Sequence, residues 1–133
     1  MNEEEYYNRR FRLNAEIQKS EEMLVQYRKQ KRYLESCLED CEWELRKSER
    51  LYSDIEEYWR EKNLKPECMD IFENENEIRR AVKQKIDTLY QDCNEMLQMQ
   101  IRSEEDKQEE YHNQMHQLRK ELWNTEEPHG ENN

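Results

Sequence analysis

Between Met1 and Glu127 this sequence holds no glycine and one proline, Pro66. These two residues break helices most reliably, so the stretches on either side of Pro66 carry no strong interruption. Folds of many elements need many turns, and turns draw on Gly, Pro, Asn and Asp. Here there is supply for one. Long apolar runs are missing as well, since nothing approaches the roughly 18 consecutive apolar residues of a membrane span. The N-terminus, MNEEEYYNRR, has no apolar run behind its charges, so no secretory signal peptide is expected either. A cytoplasmic chain follows as the expectation, with Cys37, Cys41, Cys68 and Cys93 as reduced thiols. Positive charge is also short. A net charge of −11 and a pI near 4.9 argue against nucleic acid as a partner.

At 133 residues the chain is one domain at most by length. Apolar residues make up 33% and charged residues 41%, which lies between globular composition and coiled coil and brings disorder into consideration. Aromatic content and the regular spacing of the apolar residues argue for structure.

Alternating steps of four and three from Tyr6 visit Tyr6, Arg10, Leu13, Ile17, Ser20, Leu24, Tyr27, Lys31, Leu34, Leu38, Cys41, Leu45, Ser48, Tyr52, Ile55 and Trp59. All but Arg10, Ser20, Lys31 and Ser48 are apolar or aromatic. An unbroken heptad of this kind is a coiled-coil seam, and predicts helix 1 over about 3–61. Asn2 with Glu5 forms a capping box at its start, and Arg60 and Lys62 suit the negative end of its dipole. A helix of this length is a rod of roughly 90 Å.

The segment REKNLKP predicts a bend over about 62–66. Asn63 can take the left-handed angles that end a helix, and Pro66 fits the first turn of the next. Helix 2 is expected over about 67–123, with a less regular seam of Cys68, Phe72, Val82, Ile86, Leu89, Cys93, Leu97, Ile101, Tyr111, Met115, Leu118 and Leu122. Steps of four from Leu89 to Ile101 form a stutter that relaxes the supercoil. Glu104 and Gln108 fall on the seam, so SEEDKQEE is the expected site of fraying. Residues 125–133 read as a disordered tail.

Charge supports a chain folded back on itself. Residues 9–32 hold eight Lys/Arg against three Glu, and residues 104–131 hold three Lys/Arg against nine Asp/Glu. An antiparallel hairpin brings these opposite stretches to one end. The expected fold is therefore all-α: a long antiparallel two-helix hairpin, coiled-coil in packing, that joins a larger helical bundle with a partner.

Residues able to carry chemistry are few. Cys37 and Cys41 sit at i, i+4 with Cys93 near their level, but no C-x-x-C knuckle or fourth ligand accompanies them, so they read as small seam hydrophobes. Glu109 and His112 match half of a di-iron Glu-x-x-His unit, yet lie off the seam, and His112 and His116 share that solvent face. No Ser/His/Asp set or glycine-rich phosphate loop is present. Neither an enzyme nor a cofactor or metal site is expected.

The apolar residues left off the seams are more informative. They are Tyr7, Phe11, Met23, Val25, Tyr33, Trp43, Leu51 and Tyr58 on helix 1, and Met69, Ile71, Ile78, Tyr90, Met96, Met99 and Trp123 on helix 2. A lone hairpin leaves such residues exposed, and exposed aromatic and Met-rich stripes mark interfaces. Phe11, Val25, Tyr33, Trp43, Trp59, Ile71, Ile78, Tyr90 and Trp123 are the candidate partner contacts. The partner is another helical protein or a second copy.

The chain resembles the small helical proteins of type VII secretion. Its bend carries Trp59-Arg60-Glu61 where the WXG family has Trp-x-Gly, so the tryptophan matches and the glycine does not. It is more similar to the small LXG-associated helical (Lap) proteins, over most of its length from MNEEEYYNRRFRLNAEIQ through EEYW. That resemblance implies a non-catalytic adaptor that binds the helical N-terminal LXG domain of an effector toxin and helps target it for export. It also implies a C-terminal aromatic-x-x-x-acid export signal, for which Trp123 and Glu127 are the nearest equivalent. The alternative is a self-associating cytosolic scaffold.

Overall fold

The computed structural model describes residues 2–126. It is an all-α antiparallel two-helix hairpin, with α1 spanning Glu3–Glu61 and α2 spanning Met69–Glu126, and no strand among the described residues. Relative to expectation, α2 starts two residues later and runs on past Trp123. The expected tail and the Glu127 of the proposed export signal lie, from residue 127 on, outside the described residues. Packing divides the chain into two compact units: residues up to Lys29 with those from Leu97 on (unit 1), and Gln30–Met96 (unit 2). Each helix contributes to both.

Local chemistry sets the helix ends. Asn2 caps α1, its Oδ1 accepting the Glu5 amide at 2.8 Å, while Glu3, Glu4 and Glu5 place negative charge on the first turn. At the far end Asn63 takes φ 53°, the left-handed angle that Asn tolerates better than most residues. The Leu64 amide then donates to the Trp59 carbonyl at 2.8 Å and the Asn63 amide to Arg60 at 3.3 Å. That pair of bonds is a Schellman motif, and it satisfies carbonyls that the last turn leaves free. Pro66 begins the return, with its carbonyl accepting the Met69 amide at 3.1 Å.

Unit 1 holds the buried core. Tyr6, Met115 and Leu118 cluster, Leu13, Ile17 and Leu122 pack against them, and Leu24 and Ile101 are buried as well. Each fully buried side chain of this kind contributes about 1.5–3 kcal/mol relative to exposure. Ser20, 2% exposed, stands at a seam position and donates its hydroxyl to the Glu104 carbonyl at 3.5 Å. The small residue admits the opposing backbone. Glu104 is buried rather than frayed, and its carboxylate reaches Lys107 at 3.8 Å, with α2 unbroken through SEEDKQEE. The basic and acidic stretches meet through Arg9–Glu121 at 3.8 Å and Arg28–Glu105 at 3.6 Å. Both pairs are exposed, so each is worth at most about 1 kcal/mol.

Unit 2 is packed differently. None of its residues is fully buried, and Leu34, Leu38, Leu45, Ile55 and Ile86 are half-buried along the seam. Aromatic contacts next to the bend anchor it. Tyr52 stacks on Phe72 with centroids 4.1 Å apart, Trp59 meets Phe72 edge-on at 4.7 Å, and the Arg79 guanidinium lies 5.2 Å from the Tyr52 ring. Such ring pairs add about 0.5–1.5 kcal/mol beyond area burial.

The seam of α2 in unit 2 lies one residue away from the expected one. Val82 is 45% exposed and Leu89 is 54% exposed, and Cys68 and Cys93 are exposed too. Met69, Phe72, Asn76, Arg79, Ile86, Tyr90 and Asn94 are half-buried instead. Beyond Met96 the seam runs through Leu97, Ile101, Glu104, Gln108, Tyr111, Met115, Leu118 and Leu122, as expected. The stutter therefore spans Ile86, Tyr90 and Asn94. On α1 the half-buried residues Leu34, Leu38 and Glu42 show the same four-four spacing, and Cys41 is exposed. Successive steps of four relax the left-handed supercoil.

Candidate interaction surface

In unit 2 the rows flanking the seam divide by polarity. The residues one place after each seam position are Glu35, Glu39, Trp43, Arg46, Glu49, Ser53 and Glu56 on α1, and Glu73, Glu77, Arg80, Gln84, Asp87, Gln91 and Glu95 on α2. Of these only Trp43 is apolar or aromatic. The residues one place before are Tyr33, Cys37, Cys41, Glu44, Lys47, Leu51, Asp54 and Tyr58 on α1, and Ile71, Glu75, Ile78, Val82, Lys85, Leu89, Cys93 and Met96 on α2. Eleven of these sixteen are apolar or aromatic, and all but Cys37 are exposed.

The two preceding rows share one face, because antiparallel packing brings like flanks of the two helices together. Cys37, Cys41, Leu89 and Cys93 line one groove together with Leu34, Leu38, Ile86 and Tyr90. A second groove is walled by Glu42, Leu45, Arg46, Glu49, Lys83 and Asp87. Unit 2 thus has an apolar face and a charged face. Tyr33 hydrogen-bonds with Cys37, and this bond, followed by the charge on the Cys37 sulfur, holds its phenol above the ordinary tyrosine pKa.

Of the candidate contacts in this unit, Tyr33, Trp43, Ile71 and Ile78 are exposed, and Lys47 Nζ lies 5.3 Å from the Trp43 ring centroid. Trp59 and Tyr90 lie elsewhere: Trp59 packs on Phe72, and Tyr90 occupies the seam. Sequence reasoning placed Val82 and Leu89 inside, and both belong to the outer apolar face. Their seven-residue interval, parallel to Ile71–Ile78, was the available signal.

In unit 1 the exposed aromatics follow the seam. Tyr7, Phe11 and Trp123 each follow a seam position by one residue, as does Val25, and all four are exposed. Phe11 and Trp123 are the most open large hydrophobic side chains of this unit, at 77% and 71%. The groove on the other flank is lined by Arg9, Arg12, Leu13, Gln114, Gln117, Leu118 and Glu121. Glu109, His112 and His116 are exposed. Among the described residues no three His, Cys, Asp or Glu side chains are placed to hold a metal ion, and no helix is long and apolar enough to cross a membrane. No protein-family model matches this chain, and neither a curated protein nor a solved structure is found to match it.

Proposed function

We propose that this chain is a non-catalytic helical adaptor that works by packing exposed side chains against the helices of another protein. The observation that carries the reading is the aromatic patch of unit 1, where Tyr7, Phe11 and Trp123 share one flank of the seam and stay open to solvent. Aromatic side chains supply most of the energy at the centres of protein interfaces. They are also costly to leave hydrated on a chain with so little apolar content. The grooves of unit 1 and of the polar face of unit 2 are lined by charged and apolar side chains together, and the remaining groove of unit 2 by apolar ones, which suits an interaction protein better than an enzyme.

The resemblance to Lap proteins names the partner to test first: the helical N-terminal LXG domain of a type VII effector toxin. Co-expression with the LXG domain of a neighbouring gene is expected to yield a complex of fixed stoichiometry. Phe11→Ala and Trp123→Ala are each expected to weaken it at least tenfold, the usual scale of an aromatic interface anchor being about 2 kcal/mol or more. A failure to form any complex sinks the toxin-adaptor reading.

A further inference from the structure

We propose that a second copy of this chain covers the apolar face of unit 2, running antiparallel so that α2 packs on α2 and α1 on α1 in a four-helix bundle. The outer row of α2 and its inner seam differ by one residue, which is about 100° around the helix axis. A helix that needs neighbours in two directions near a right angle occupies a corner of a four-helix bundle.

Six of the eight residues of this row, Ile71, Ile78, Val82, Lys85, Leu89 and Met96, are spaced by seven, four, three, four and seven residues, a series that reads the same in both directions, while Glu75 and Cys93 fall outside it. Turning a copy end over end about a point between Lys83 and Gln84 lays those six positions on themselves. Ile71 then lies level with Met96 of the second copy, Ile78 with Leu89, and Val82 with the aliphatic stem of Lys85. A surface that meets its own copy across a two-fold axis must be self-complementary in this way.

Leu45 and Lys83 line one groove, so the midpoint of the α2 row is level with the Leu45–Arg46 step. The same two-fold axis sets Glu44 level with Lys47 of the second copy, and Tyr33 level with Tyr58. One pair of opposite charges and one pair of aromatic rings meet, while Leu51 lies level with Asp40 and Cys37 with Asp54. The face is also large enough. Residues 71–96 extend about 39 Å, and two helix widths give about 20 Å, or about 800 Å² per copy. A standard stable interface takes about the same area from each partner.

This pairing does not depend on the adaptor reading, because it is argued from residues of unit 2 and not from Tyr7, Phe11 or Trp123 of unit 1. The test is light scattering on the purified full chain at micromolar concentration. The expected mass is twice the 16.8 kDa of one chain. Leu89→Glu and Ile78→Glu are each expected to halve it with the helical circular-dichroism spectrum unchanged, and Gln84→Glu on the polar face is expected to leave it doubled. A monomeric wild type, a trimer or larger species, or a dimer that survives both substitutions overturns the proposal. Loss of helicity in both variants overturns it too, since the residues would then serve the hairpin's own packing. Toxin-domain binding by a monomer would leave the adaptor reading standing and sink this one.

Discussion

Phe72 lies almost parallel to Tyr52, with ring centroids 4.1 Å apart and planes 8° from parallel, and so joins the first turn of α2 to the last quarter of α1. Trp59 closes the same contact edge-on. The rings stand next to the bend, where unit 2 has no fully buried residue to hold the helices together. Phe72→Ala is therefore expected to cost about 2 kcal/mol, below the range for a fully buried phenylalanine because the ring is half-exposed. Urea unfolding at fixed protein concentration measures this. The near-ultraviolet circular dichroism of Tyr52 and Trp59 should collapse in the same variant. Ile71→Ala, one residue away and 65% exposed, should stay within about 0.5 kcal/mol of wild type in a monomeric background.

Asn63 is the single described residue with a positive φ. A residue with a branched Cβ strains at that angle, whereas glycine does not. Asn63→Val is expected to lose about 1–2 kcal/mol, and Asn63→Gly to be neutral or slightly stabilising. Equal stability of the two variants would show that the Schellman closure contributes nothing to the return of the chain.

Asn94 stands on the seam of unit 2 with its Oδ1 buried and without a hydrogen-bond partner. An unpaired buried carbonyl costs about 1–3 kcal/mol. Asn94→Leu removes the penalty and adds apolar contact, and is expected to stabilise the chain by at least about 1 kcal/mol in thermal or urea unfolding. A destabilised variant would mean that the amide nitrogen holds the seam together more strongly than the orphaned oxygen weakens it.

Much of this architecture is legible in the sequence, and the part that is not has a physical cause. The bend follows from Asn63 and Pro66, and the phase of α1 from a heptad that persists through Lys31 and Ser48. On α2 two adjacent rows compete in the stretch 71–96. The outer row holds Ile71, Ile78, Val82, Leu89 and Met96, while the inner holds Asn76, Arg79, Lys83 and Asn94. Apolar content alone selects the outer row. The fold selects the inner one, because Phe72, Ile86 and the regular heptad from Leu97 to Leu122 fix the rotation of a continuous helix. Arg79 tolerates its place by lying over Tyr52 and donating to Asn76 Oδ1 at 3.1 Å. The aromatic patch of unit 1 was readable directly, since Phe11 and Trp123 stand clear of any seam.

Tyr33 gives a test of side-chain geometry on the apolar face. Its phenol titrates above the ordinary value because it hydrogen-bonds with Cys37 and because the Cys37 thiolate repels a second negative charge. A folded-state pKa above the unfolded value of about 10 means that the native chain holds this proton more tightly. The resulting stability is fully present below pH of about 10 and is lost as pH rises through the raised value. Ultraviolet titration of the phenolate band should show a late step above the ordinary tyrosine value. Cys37→Ala removes both the bond and the charge, so the late step should move down to the common tyrosine range. A late step that persists in Cys37→Ala would assign it to another tyrosine and place the Tyr33 hydroxyl away from the sulfur.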